Sequence, residues 1–274
     1  MAVSDFLFVL TDPLLRRTGQ YYFPNSFLHI TPVCSLNIVL LAAATTISVW
    51  VTVAFTFDRF VAICCEKLKS RYCTERTAAV VIGIVCVLGC LVCVPWYFIY
   101  EPHRYINGVP LGCAVTMHFL TSESWAAFDL IDRMITPFIP FFLILLLNIL
   151  TVRRILAASG VRRGFRSRSN GENDKDPEME NRKKSILLLF SITASFILSW
   201  LTKVVFNIYR RLTDVRYYSY SDPNYIAQAA AFMLQVLNSC TNTCIYILTQ
   251  RRFRQELWNL ARFPLNLAMK VFKS

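Results

Sequence analysis

Long uncharged runs, separated by short charged segments, set the pattern of this 274-residue chain. The runs predict helices near residues 1–15, 29–64, 77–100, 129–156, 183–209 and 223–250. A helix needs about 20 apolar residues to cross the hydrocarbon layer, and a helix that is apolar on all faces belongs in a membrane or a very large core. The pattern therefore predicts an all-α, polytopic membrane protein with six helices, of which the first is partial.

The second run ends in the most informative short string of the chain, Asp58-Arg59-Phe60. No Asp, Glu, Lys or Arg occurs from position 18 to position 57. From Cys34 to Arg59 the chain advances 25 residues, or about 37 Å of helix, which slightly exceeds the hydrocarbon thickness of about 30 Å. One helix thus carries a cysteine at one membrane face and an acid–base pair at the other.

Basic residues are concentrated in alternate connections between the runs. Segments 65–76, 152–184 and 251–274 hold 4, 10 and 6 Lys and Arg, whereas segments 15–26, 101–128 and 209–224 hold 2, 1 and 3. This positive-inside bias places Asp58-Arg59 and the C-terminus in the cytoplasm. The net charge of +12 therefore indicates membrane orientation, and no nucleic-acid partner is expected. A mean hydropathy of +0.44 also excludes an ordinary soluble domain.

Two polar segments depart from the pattern of runs. Residues 160–184 are charged and poor in hydrophobic side chains, which predicts a disordered cytoplasmic loop. Residues 251–263 place apolar side chains at helical spacing opposite basic ones, which predicts an amphipathic helix on the inner leaflet, ended by Pro264. Residues 1–250 would then form the membrane bundle and residues 264–274 a cytoplasmic tail.

Three motifs on three predicted helices occur in the order and spacing of one family. They are Asp58-Arg59-Phe60, Phe196-x-x-Ser199-Trp200-x-Thr202 and Asn238-x-x-x-Asn242-Thr243-x-x-Tyr246. The chain resembles the rhodopsin-like (class A) G-protein-coupled receptors, which carry Asp/Glu-Arg-Tyr, Phe-x-x-Cys-Trp-x-Pro and Asn-Pro-x-x-Tyr. Thr replaces Pro in the last two motifs, and hydroxyl side chains that bond back to the helix can also bend it. Strings such as Trp50-Val51-Thr52-Val53 resemble the orphan branch related to aromatic-amino-acid-sensing receptors.

The resemblance implies a seven-transmembrane bundle. The family has a whole helix before the segment 1–15, and Ala2-Val3-Ser4-Asp5 resembles the Ala-x-x-Asp string of its second helix. We therefore expect a fragment that lacks the first helix and about half of the second. Of the ten cysteines only Cys34 and Cys113 fall on the predicted outer side, where a disulfide persists, and the family joins cysteines at these two places.

The resemblance also implies roles for single residues. Coupling to a heterotrimeric G protein would use Asp58, Arg59, Phe60, Asn148 and Tyr246. Phe196 and Trp200 would form a toggle beneath the ligand. A sodium ion, with no other cofactor expected, would lie among Asp5, Ser48, Asn238, Ser239 and Asn242. Three alternatives stay open, namely that Asp5 only packs helices, that Trp200 is an ordinary core residue, and that Asp58 and Arg59 are interfacial charges reaching for water.

The ligand would be extracellular, in a pocket formed by Leu41, Thr45, Arg133, Lys203, Asn207 and Phe232. Leu41 stands where amine receptors carry Asp, and the helix 223–250 has no lysine for a retinal Schiff base. Lys203 lies three residues after Trp200, on the same helix face and one turn nearer the outside. Lys203 and Arg133 would bind a carboxylate-bearing small molecule or peptide terminus. Alternatively, Lys203 pairs with Asp132 or extends toward water.

The sequence therefore predicts a G-protein-coupled receptor, embedded in the lipid of the plasma membrane as a multi-pass protein. An enzyme is not expected, because the three histidines are scattered on outer segments and no metal-spaced or nucleophile–base motif occurs. A transporter or channel with intramembrane charges along a pathway is the alternative. Inverted repeats would favour that alternative, and the sequence shows none.

Overall fold

The structure is a computed structural model that describes residues 2–23, 26–166, 190–191, 193–206, 208–209 and 221–249, together with 254, 255, 258, 259 and 262. Within these residues, three helical segments are long and apolar enough to cross a membrane, namely Thr31–Cys64, Glu75–Ile99 and Glu123–Ala157. A shorter apolar helix covers Thr193–Phe206. The all-α, polytopic fold predicted from the sequence is confirmed.

Ten helices are described, and two π-helical segments connect some of them. The helices are α1 (Ala2–Val9), α2 (Gly19–Tyr22), α3 (Thr31–Cys64), α4 (Glu66–Tyr72), α5 (Glu75–Cys93), α6 (Met117–Thr121), α7 (Glu123–Arg133), α8 (Ile139–Arg166), α9 (Thr193–Phe206) and α10 (Pro223–Thr249). The π-helical segments are Leu10–Thr18, between α1 and α2, and Met134–Phe138, between α7 and α8. Short 3-10 helices cover Phe27–His29 and Val94–Ile99.

The first helical stretch is longer than the predicted helix near 1–15, because it continues through the π-helical segment to Tyr22. Pro13 lies inside that segment, where the wider turn accommodates a residue without a backbone N–H. Arg16 and Arg17 both bond to the Asp12 carboxylate, which neutralises part of their charge within the helix. These two arginines therefore lie in a helix and not in the connection to which the sequence pattern had assigned them.

The predicted helix near 129–156 also differs at both ends. It begins with α7 at Glu123, and Asp129 and Arg133 bond to each other one turn apart, so that charged residues are accommodated in helix. At its other end α8 continues to Arg166. Residues 160–166 of the segment predicted as a disordered loop are thus helical, and residues 167–184 lie outside those described, as does most of the predicted amphipathic helix 251–263.

Two short β-hairpin ladders lie between α5 and α6, at the end of the bundle that the sequence predicts to be outer and that we call outer below, and the all-helical pattern did not predict them. β1 (Tyr100–Glu101) pairs with β4 (Ala114–Val115), and β2 (Arg104–Ile106) pairs with β3 (Val109–Leu111). Asn107 and Gly108 have positive φ angles of 51° and 78°. An Asn-Gly pair with positive φ at both positions is the preferred two-residue hairpin turn, so the sequence did contain the signal.

The helix α3 lies at the centre of the bundle and packs against α1, α5 and α8. Its Val49 and Val53 form a buried cluster with Ile144 of α8 and with Phe196 and Trp200 of α9. A Cβ on Gly89 of α5 would lie only 2.7 Å from the Ile47 side chain, so the glycine allows α5 to approach α3 closely. The central position of α3 brings both of its ends to functional candidates.

Candidate functional site

The outer end of α3 is tied to the hairpin ladders. Cys34 and Cys113 form a disulfide with their Cα atoms 6.2 Å apart, which confirms the predicted pairing. The Thr31 hydroxyl donates to the Gly112 carbonyl at 2.8 Å, and the Gly112 amide donates to the His29 carbonyl at 2.7 Å. Gly112 has φ +86°, and a Cβ there would meet His103 at 2.8 Å, so only glycine fits this crossing.

A cavity of about 330 Å³ lies next to Tyr100 of β1, between the outer parts of α3, α9 and α10, the C-terminal part of α7 and the π-helical segment Leu10–Thr18. We call it the main cavity, although a cavity of about 690 Å³ beside Asp58 and Arg59 is larger. Predicted pocket residues that line it are Leu41, Thr45, Arg133, Lys203 and Phe232. Asn207, the sixth residue of that prediction, lies outside the described residues. Trp200, 6% exposed, also lines this cavity.

Lys203 reaches into the main cavity above Trp200. Its Nζ lies 5.5 Å from the centre of the Trp200 ring and donates to Oε1 of Gln235. Among the described residues no ion pair within 4 Å joins Lys203 to Asp132 or to another carboxylate. The alternative that Lys203 pairs with Asp132 is therefore not what the structure shows, and the ammonium faces a neutral partner.

Arg133, by contrast, has an acidic partner. Its Nε and Nη2 donate to the two carboxylate oxygens of Asp129 at 3.0 and 2.9 Å. This bidentate geometry fixes the guanidinium and compensates its charge. Arg133 thus borders the main cavity as half of an ion pair, which the sequence analysis did not foresee.

Three further charged residues of the main cavity were missed by sequence reasoning. Asp12 is fully buried and accepts from Arg16 and Arg17. The Arg17 guanidinium lies 3.7 Å from the centre of the Phe232 ring of α10, a cation–π contact. The four-residue spacing of Asp12 and Arg16 was a usable signal, but the predicted helix near residues 1–15 ended before Arg16.

Deeper in the bundle, four of the residues predicted to bind sodium border one small cavity of about 10 Å³. The Ser48 hydroxyl donates to the Asp5 carboxylate at 2.6 Å, and Asn238 and Ser239 line the same space. The side chain of Asn242 lies outside the described residues. Carboxylate, hydroxyl and amide oxygens suit a hard cation, and the space is about that of one water-sized sphere, so the residues present fit a sodium ion.

The inner end of α3 carries the other predicted site. Asp58 Oδ2 and Arg59 Nη2 are 2.9 Å apart, and both side chains are about one-third exposed. The thiol of Cys73, just after α4, donates to the Asp58 carbonyl at 3.7 Å. Burial and the nearby Asp58 carboxylate raise the pKa of this thiol above its usual value. Phe60 is half-buried on the same turn.

Asn148 connects two helices near this inner end. Its Nδ2 donates to the Thr193 hydroxyl of α9 at 2.6 Å, and Asn148 is only 5% exposed. This contact bridges α8 and α9 inside the bundle. The side chain of Tyr246, predicted to act with Asn148, lies outside the described residues.

Comparison with known proteins identifies the family. The family model described as "7 transmembrane receptor (rhodopsin family)" matches residues 1–246. A tachykinin-like peptides receptor of Drosophila melanogaster is 27% identical over 230 residues, which are 81% of this chain and 43% of that receptor. The B1 bradykinin receptor of Macaca fascicularis is 25% identical over 95% of this chain and 70% of its own length. G-protein coupled receptor 15 of Mus musculus is 24% identical over 94% of this chain and 66% of its own.

These matches decide between the classes of protein considered from the sequence. The family consists of receptors, which are not enzymes, and its members are multi-pass proteins of the plasma membrane. The match covers all three motif-bearing helices, α3, α9 and α10. The chain belongs to the rhodopsin family of seven-transmembrane receptors.

Proposed function

We propose that this protein transmits the binding of an extracellular ligand to a heterotrimeric G protein in the cytoplasm. The observation that carries this proposal is the position of two sites at opposite ends of α3. The main cavity lies at its outer end, and the Asp58–Arg59 pair lies at its inner end. The alternation of basic segments supports a cytoplasmic location for the inner end and the C-terminus.

The core between the two sites offers a route for coupling. Trp200 borders the main cavity, and its ring centre is 5.8 Å from that of Phe196 one turn further in. Both rings pack against Val49 and Val53 of α3 and Ile144 of α8. A ligand that moves Trp200 would therefore shift α9 relative to α3 and α8, since packed cores switch between discrete arrangements.

Activation would exchange contacts at the inner end. In the resting state Asp58 neutralises Arg59, and Asn148 holds α9 through Thr193. An outward swing of α9 would break the Asn148–Thr193 bond and open a cavity beside Arg59. Arg59, Asn148, Phe60 and Tyr246 would then contact the G protein.

The ligand that fits the main cavity carries a carboxylate. The Lys203 ammonium faces a neutral amide, so a ligand carboxylate would gain a charge-assisted hydrogen bond there. Arg133 borders the same space but already binds Asp129, so we assign Lys203 the larger share. Two of the relatives are receptors for peptides by name, which supports a peptide carboxylate or a small acid of similar shape.

The test is basal and stimulated second-messenger output in transfected cells at matched surface expression. Arg59→Ala should abolish coupling to the G protein, because the proposed contact is lost. Asp58→Asn should raise basal output, because Arg59 loses the carboxylate that restrains it. Arg71→Ala, an exposed arginine of α4 on the same side, is the matched control and should leave output unchanged.

Two results would contradict the proposal. Unchanged signalling in both Arg59→Ala and Asp58→Asn would remove the inner site from the mechanism. Uptake of a solute by cells that express the chain, lost on Lys203→Gln but not on Arg59→Ala, would favour the transporter alternative.

A further inference from the structure

A second outer cavity lies beside the disulfide, and the proposed function does not use it. It has a volume of about 270 Å³, and we call it the side cavity. Its lining consists of Arg16, His29, Cys34, Ile38, Leu41, Tyr100, Gly112 and Cys113. Four of these residues, Arg16, Ile38, Leu41 and Tyr100, also line the main cavity and form the wall between the two.

His29 lines the side cavity and carries an unsatisfied polar atom. The residue is only 9% exposed, and its Nε2 has no hydrogen-bond partner among the described residues. A buried polar atom without a partner is uncommon and costly, so each one in a folded protein calls for an explanation. A ligand that supplies an acceptor to this ring nitrogen would provide one.

The charge around His29 favours an anion. Arg16 and Arg17 share the single carboxylate of Asp12, which leaves one excess positive charge, and Arg16 borders the side cavity. Among the described lining residues of the side cavity there is no acidic side chain. The main cavity differs, because Asp12, Asp129 and Asp132 all line it.

Tyr100 adds a second donor. It follows the 3-10 helix Val94–Ile99, and its side chain borders both cavities. Burial raises the pKa of the Tyr100 phenol, while the Arg16 charge acts in the opposite direction. The phenol is therefore protonated at neutral pH and can donate to an anion.

The surrounding backbone holds these groups in place. The disulfide between Cys34 and Cys113 forms one wall. The Gly112 amide donates to the His29 carbonyl at 2.7 Å, and Ile30 forms a bridge with Leu111. A rigid wall with converging donors is the arrangement expected of a pre-formed ligand site.

From these contacts we infer that the side cavity binds a carboxylate, held by the Arg16 guanidinium and the Tyr100 hydroxyl, with the His29 ring turning so that its Nε2–H reaches the ligand. This site is separate from Lys203, and its occupancy would position the wall residue Leu41 that it shares with the main cavity. The inference does not rest on the proposed function, because binding here requires no G protein.

The experiment measures thermal unfolding of the 274-residue chain in lipid nanodiscs, with sodium acetate and sodium benzoate as probes and sodium chloride at equal ionic strength as the reference. We expect the carboxylates to raise the apparent melting temperature by about 2–4 °C above the reference. His29→Leu should reduce this rise, and His29→Leu combined with Lys203→Gln should abolish it, whereas His29→Gln, which keeps an N–H donor near the same place, should retain more of it than His29→Leu does. Tyr100→Phe should reduce it.

Lys203→Gln separates this site from the ligand site of the proposed function. It removes the carboxylate contact assigned to the main cavity, so the rise that persists in this variant reports the side cavity, and a receptor that fails to signal would still show that remaining rise if the side cavity binds carboxylates. Three results would overturn the inference: no rise above the chloride reference, an equal rise in wild type and His29→Leu, or loss of the rise in Lys203→Gln with full retention in His29→Leu.

Discussion

The two ends of α3 present opposite solutions to placing charge in a membrane protein. At the inner end a single pair of sequence neighbours, Asp58 and Arg59, meets at 2.9 Å and is partly exposed. At the outer end seven charged residues line one cavity, and they come from three helical segments: Asp12, Arg16, Arg17, Asp129, Asp132, Arg133 and Lys203. The inner pair is local in sequence, whereas the outer cluster exists only in the folded bundle.

This difference separates the end of α3 that would select a ligand from the end that would transmit the signal to a G protein. The inner pair is one contact that can be opened or closed, which suits a switch. The outer cluster combines compensated charges, such as Arg133 on Asp129, with a lysine that faces a neutral amide. Compensated pairs shape the cavity, and in the proposed function the Lys203 ammonium is the group that would select a ligand.

Removal of the disulfide should have the largest effect on surface expression. It should disturb the structure at the outer end of α3 and leave the inner end intact. Cys34→Ser with Cys113→Ser frees a loop whose ends are 79 residues apart, and loss of a native disulfide costs about 2–5 kcal/mol. We expect surface staining to fall at least about tenfold. Cys90→Ser, an exposed cysteine outside the disulfide, is the control. Normal surface staining of the double variant would show that the outer end holds its shape without the bond.

A change at Lys203 tests whether this residue, among the charged residues of the outer end, binds the ligand. Lys203→Gln should lower the potency of a carboxylate ligand about tenfold, because one charge-assisted hydrogen bond is lost. Lys203→Arg keeps the positive charge and should retain most of the potency. The measurement is a concentration–response curve with a panel of peptides that carry a free or an amidated C-terminus. Equal potency for both forms of each peptide on the wild-type receptor would contradict the role of Lys203.

The sequence predicted the inner end better than the outer end for a physical reason. Asp58 and Arg59 are adjacent, and their distance from Cys34 follows from helix rise alone. Arg16 and Arg17 were assigned to a connection because the apolar run ends near residue 15, and the π-helical segment that continues the helix has no simple sequence pattern. The partner of Lys203, Gln235, lies on another helix, and pairing between helices cannot be derived from spacing along one chain.

The hairpin ladders were also not predicted, although the sequence contains a turn signal between two of their strands. Asn107-Gly108 is a strong local signal for a tight turn, yet the flanking strands have only two or three residues each. Strands of this length show no clear alternation of polar and apolar residues. The disulfide could be predicted because topology left two outer cysteines, but the crossing at Gly112 depends on contacts with His103 that only the fold reveals.

Removal of the Asn148–Thr193 hydrogen bond is a milder perturbation of the inner end of the bundle. Thr193→Val removes the hydroxyl that accepts from Asn148 at 2.6 Å in the buried bundle. Loss of one such partner costs about 1–3 kcal/mol in the resting state, so basal second-messenger output should rise about fivefold. Thr193→Ser keeps the hydroxyl and is the control. An equal rise in both variants would mean that the methyl group, and not the hydrogen bond, holds α9.

The smallest expected effect concerns the cavity between the two ends. If Asp5 binds a sodium ion with Ser48, Asn238 and Ser239, replacing choline with about 150 mM sodium should raise the melting temperature by about 1–2 °C. Asp5→Asn removes the carboxylate that a cation requires, and its melting temperature should no longer depend on sodium. Thr11→Ala lies in the same helical stretch, but its hydroxyl bonds to the Leu7 carbonyl and is remote from this cavity, so the sodium effect should persist there. A wild-type chain that melts at the same temperature in sodium and in choline would favour the alternative, in which Asp5 is a hydrogen-bonded carboxylate that packs α1 against α3.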